Sequence, residues 1–160
     1  MNGSGLGAAA TARLTAAGWF PGRAVPVEPL LEPLLEEDYE IPPVLRAFLR
    51  GYGGLEFDYP NPHCPEHRDT CGIDPQLAVD ALFRTRVSLW EERVGAQLVP
   101  FGEASRLFLV MAADGRVWGG FDEFLFELGD SPEDALDGLC EGHDRPTVPA
   151  VPEESEHGQA

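Results

Sequence analysis

Apolar residues along this chain fall in short runs whose spacing changes from helical to extended and back. The stretch from Ala8 to Ala17 predicts a short helix, ended by Gly18 in a left-handed cap. Trp19, Phe20 and Val25 surround Pro21-Gly22, where the chain is expected to turn and bury aromatic surface. Glu32-Pro33 is read as opening a turn through Leu34, Leu35 and Glu37. Pro42 suits the first position of a helix reaching about Arg50, with Leu45, Phe48 and Leu49 on one face. Leu55, Phe57 and Tyr59 then alternate with Glu56 and Asp58, the pattern of a strand with one buried face.

The Pro-, His- and Cys-rich stretch from Pro60 to Gly72 lacks such alternation and reads as a loop. Asp74-Pro75 supplies an N-cap and a first-turn proline for helix up to Gly95, with a break near Arg84. Beyond it lie strands at Leu98–Phe101, Arg106–Ala112 and Val117–Phe121. The last two are joined at Asp114-Gly115, a pair suited to a tight two-residue hairpin. Phe124, Phe126 and Leu128 alternate as a further strand, and Ser131-Pro132 opens a final helix carrying Ala135, Leu136 and Leu139. The expected fold is α+β: a single domain over residues 13–141 with a small antiparallel sheet flanked by helices. Residues 1–12 are expected to be flexible and 142–160 to form a disordered acidic tail.

Composition narrows the function. The 160 residues include 11 basic side chains, all arginine, against 28 acidic ones, a formal charge of −17. Such a chain repels phosphate backbones, which disfavours direct nucleic-acid binding, and its field steers basic partners toward it. The same charge also serves plain solubility. No apolar run approaches the ~20 residues that cross a bilayer, and the N-terminus lacks the basic start and leucine-rich stretch of a secretory signal. A cytoplasmic protein without membrane contact is expected.

One local cluster suggests chemistry. His63, Cys64, His67 and Cys71 offer four soft ligands within nine residues, the side chains that zinc selects. Structural zinc sites usually pair two knuckles a dozen or more residues apart, and here all four ligands share one stretch. The alternative is a surface loop that happens to hold His and Cys. A Cys64–Cys71 disulfide suits a reducing compartment poorly. Ser88 and Ser105 sit in no nucleophile-elbow context, Ser131 is accounted for as a cap, and His143 and His157 read as solvated. Gly51-Tyr52-Gly53-Gly54 follows a helix and precedes a strand, the reverse of a dinucleotide fingerprint. The acidic runs, among them Glu36-Glu37-Asp38 and Asp122-Glu123, are ordinarily solvated faces. No catalytic constellation emerges, and neither an enzyme nor a cofactor is expected.

Four stretches, in order, resemble a known family: LTAAGWFPGR, VLRAFLRGYGGLEF, IDPQLA, and the run from VGAQLVPFGEA through FLVMAADGRVWGGF to LGDSPEDALDGL. Together they are similar to the SUKH superfamily of bacterial immunity proteins, most closely its SUKH-3 family, over roughly residues 14–141. The resemblance implies an antiparallel sheet flanked by helices and a role in neutralising a toxin, often a nuclease. It carries over no catalytic residues. The His- and Cys-rich stretch before Ile73 departs from the family pattern.

A nuclease needs a basic cleft, which an acidic binder with a few aromatic anchors could cover. On that reading the partner is a cognate protein toxin, basic and nuclease-like. The candidate contacts are Glu36, Glu37, Asp38, Glu56, Asp58, Asp122 and Glu123. Two other readings stay open: an intracellular adaptor for a cellular protein, and a small zinc-binding protein using His63, Cys64, His67 and Cys71.

Overall fold

A computed structural model describes residues 5–61 and 63–149. The elements follow in the order α1 (Ala8–Ala16), α2 (Glu28–Glu36), α3 (Pro43–Tyr52), β1 (Glu56–Asn61), β2 (Cys64–Gly72), α4 (Pro75–Val79), α5 (Arg84–Val94), β3 (Val99–Ala104), β4 (Leu107–Met111), β5 (Val117–Phe121), β6 (Phe124–Gly129) and α6 (Pro132–Glu141). The strands form one antiparallel sheet in sequence order, β1 to β6. Helix α6 packs against both β6 and β1, the two outer strands. The arrangement is a single-domain α+β fold.

The termini of the helices follow from their sequence. Asp74 accepts from the Gln76 amide at the start of α4, and Ser131 accepts from the Asp134 amide at the start of α6. Each cap satisfies a backbone donor that the first turn leaves over. Helix α2 begins at Glu28, before the expected turn, and runs through Pro33. An interior proline costs about 3 kcal/mol. Burying Leu31 and Leu34 on its inner face returns about 1.5–3 kcal/mol each, so packing outweighs the lost hydrogen bond.

Two segments differ from the sequence reading. The stretch read as a loop from Pro60 to Gly72 is mostly strand β2, paired with β1 from Glu56↔Gly72 to Asn61↔Cys64. Only Cys71 and Gly72 pair onward with β3, so most of β2 is held from one side and needs no apolar alternation. The Asp114-Gly115 hairpin is a three-residue loop rather than a two-residue one. The Ala112 amide donates to the Arg116 carbonyl across it, the Gly115 amide donates back to Ala112, and only Gly115 takes a positive φ, of 96°. That is a type I turn with a glycine bulge, which the same two residues also allow.

The stretches quoted for the resemblance meet in space. The rings of Trp19 and Tyr52 stack with centroids 5.9 Å apart, and Phe48 bridges from Tyr52 to Phe101 on β3. The Arg23 guanidinium donates to the carbonyls of Gly51 and Gly53 at 2.8 and 2.9 Å, closing the C-terminal end of α3. Beyond α6 the chain does not leave the domain at once. The Glu127 amide donates to Pro146 and the Val148 amide donates to Leu125, both at 2.8 Å, so residues 146–148 cover the outer edge of β6. The rest of the expected tail, 150–160, and the first four residues lie outside the described residues.

Candidate functional site

Helix α5 organises much of the acidic surface. At its N-terminal end the Arg84 guanidinium lies over the Tyr39 ring, 4.0 Å from its centroid, which fixes the end of α2 beside the start of α5. Glu36, Glu37 and Asp38 are exposed there, Asp38 in a left-handed conformation with φ 66°. Further along α5 the Trp90 indole donates to the Asp122 carbonyl at 3.1 Å and Arg93 donates to the Glu123 carbonyl. The β5–β6 turn, with exposed Asp122 and Glu123, is thereby pinned to the same helix. Eleven residues of helix span roughly 16 Å. Five of the seven acidic candidates therefore flank one strip.

Large apolar side chains are exposed on α5 and on the elements joined to it. Phe83 is 78% exposed just before Arg84, Leu35 on α2 is 55% exposed, Leu89 on α5 is 49% exposed and Phe124 is 44% exposed beside Phe121. The sequence reading missed all four as surface residues. Phe83, next to the break in the helical pattern, carried the one signal that could have found it: an aromatic at a helix N-cap with no buried face to occupy.

Glu56 and Asp58 lie elsewhere, on the exposed side of β1. Asp58 accepts from the Thr70 hydroxyl across the strand pair at 3.0 Å, and its carbonyl accepts from Arg13 at 3.1 Å. With Arg68 nearby, this surface is mixed in sign and already engaged.

The four soft ligands are separated by the strand. Cys71 is fully buried between Phe57 and Ala104, and burial raises its thiol pKa far above the ordinary range, with Cys140 adding to the shift. Cys64 is half-buried at the far end of β2, while His63 and His67 are exposed toward a groove over the sheet. All three cysteines are free thiols, and among the described residues no group of three or more His, Cys, Asp or Glu side chains is placed to hold a metal ion.

The family model for SUKH-3 immunity proteins matches residues 7–142, which span the sheet and the six helices of the described residues. The chain belongs to the SUKH-3 immunity protein family. Immunity is the function that membership carries, and the match confirms the resemblance drawn from the four quoted stretches. No curated protein and no solved structure matches the chain. In this SUKH-3 domain the family-like residues Trp19, Arg23, Tyr52 and Gly53 hold the fold together. No described helix is long and apolar enough to cross a membrane.

Proposed function

We propose that this SUKH-3 protein acts in the cytoplasm by binding and neutralising a cognate protein toxin that is basic and nuclease-like, with no catalytic step of its own. The observation that carries the reading is the strip along α5. It combines exposed Phe83, Leu35 and Leu89 with a rim of Glu36, Glu37, Asp38, Asp122 and Glu123 on a chain of charge −17. Large apolar anchors inside a charged rim are the usual make-up of a protein-binding surface. An acidic rim speeds encounter with a positively charged cleft and disfavours nucleic acid at the same place. A nuclease so covered cannot bring its substrate's phosphates to its active site. Glu56 and Asp58 have a weaker claim, since the Asp58 carboxylate already accepts from Thr70 and the cationic Arg13 and Arg68 share their surface.

Co-expression with the toxin gene tests this. Growth should be rescued by the native chain and not by Phe83→Asp, with both chains accumulating equally and melting alike. Rescue by Phe83→Asp as complete as by the native chain would remove the α5 strip from the account.

A further inference from the structure

A groove of about 820 Å³ lies over the sheet and draws lining residues from all six strands and from the segment after α6. Its lining departs from the acidic excess of the molecule. Three of the four histidines in the chain, His63, His67 and His143, line it together with Arg106 and Arg145. Arg145 is the unusual member. Its Nε and Nη2 are shielded from solvent and have no hydrogen-bond partner among the described residues.

A guanidinium left in that state is costly unless something it can bind completes it. The backbone on both sides of Arg145 is fixed, by the His143 amide donating to Gly138 at 2.9 Å and by the Pro146 carbonyl accepting from Glu127. The residue is therefore anchored to the domain at its backbone and does not hang from a loose tail. Two carboxylates also line the groove. Asp69 accepts from the Asn61 amide at 3.1 Å and lies 3.8 Å from His67. Asp144 forms no salt bridge with either arginine among the described residues. On the floor, the Tyr59 hydroxyl donates to Ser105 Oγ at 3.3 Å, which leaves the Ser105 proton free to donate.

We propose that this groove is an oxyanion-binding site, in which Arg145 and Arg106 grip a phosphate or carboxylate group with the Ser105 hydroxyl beside them. A guanidinium fork matches either group with paired hydrogen bonds. The volume lies within the range of small-molecule sites. Phe121 and Phe126 along the same wall would seat the apolar remainder of such a ligand. The site is independent of the α5 strip and of the toxin reading.

Inorganic phosphate titrated into the full isotope-labelled chain tests the proposal, with sodium acetate as a second arm at the same ionic strength. Arginine Nε–H and histidine ring resonances should shift and saturate. Saturation by phosphate alone assigns a phosphate ligand, and saturation by acetate alone a carboxylate. Arg106→Gln, at an exposed position, should fold normally and weaken the saturating anion by roughly tenfold. Arg145→Gln should weaken it at least as much, while Arg46→Gln on α3 should leave it unchanged. Shifts that stay linear with both anions, or an Arg106→Gln protein that titrates like the native chain, would overturn the assignment.

Discussion

Burial sets the behaviour of individual side chains in ways that solution chemistry can read. It raises the Cys71 thiol far above its ordinary range and pushes Cys140 up to about 11, whereas Cys64 sits half-buried at the end of β2. Because the thiolate is the reactive form, a thiol reagent at neutral pH should modify Cys64 first and reach Cys71 and Cys140 only as the protein unfolds. Equal rates at all three in the native protein would contradict this packing. Glu133 on α6 is half-buried, and burial, then the like charge of Asp137 one turn on, raises its pKa. The folded state thus holds this proton more tightly than the unfolded chain does. Stability falls as pH rises from the unfolded pKa through the raised folded one, and the penalty is fully present above it. Glu133→Gln should therefore stabilise the protein at neutral pH by about 0.5 kcal/mol, the scale of a like-charged pair one turn apart. The gain should vanish below the unfolded pKa, which melting curves at several pH values would show.

At the level of elements, α3, β5 and α6 were legible because apolar spacing and turn residues agreed there. Val117–Phe121 was placed to the residue. Strand β2 was not, because few of its described side chains are buried and it is held mainly by backbone bonds to β1, which leave no periodic trace. Helix α2 was shortened in the reading because a local rule about proline was overridden by burial of Leu31 and Leu34. The final segment looked unstructured by composition, yet Arg93 donates to the carbonyls of Val148 and Pro149 and holds it to the domain. The joint between β2 and β3 depends on Gly102, where a Cβ would collide with the Gly72 carbonyl oxygen and press on the Ile73 backbone. Neither obstacle is a flexible side-chain end. Gly102→Ala should cost about 2 kcal/mol, on the scale of forced overpacking, and lower the denaturant midpoint without changing the slope. An unaltered midpoint would mean that β2 and β3 separate freely.

Across the whole molecule, the acidic character was plain from composition, but its arrangement was not. Nothing in sequence joins Asp38 to Asp122. The junction is made by Arg84 over Tyr39 and by Trp90 and Arg93 reaching the β5–β6 turn, contacts between residues 30 to 45 positions apart. The groove was equally hidden, since His143 read as solvated and Arg145 fell in the expected tail. Membership in the SUKH-3 family fixes the class of function, and the α5 strip is the docking place proposed for a basic partner. Association with the toxin should accordingly slow as salt rises, because the rim acts through long-range attraction.

The most direct measurement is the affinity and association rate for the toxin of a rim variant, Glu36→Lys and Glu37→Lys with Asp38→Asn. The asparagine keeps the left-handed backbone at position 38 comfortable. The account predicts an unchanged fold, association slowed by roughly tenfold or more at low salt, and convergence with the native chain at high salt. Native-like association at low salt would contradict the claim that this acidic strip receives the toxin.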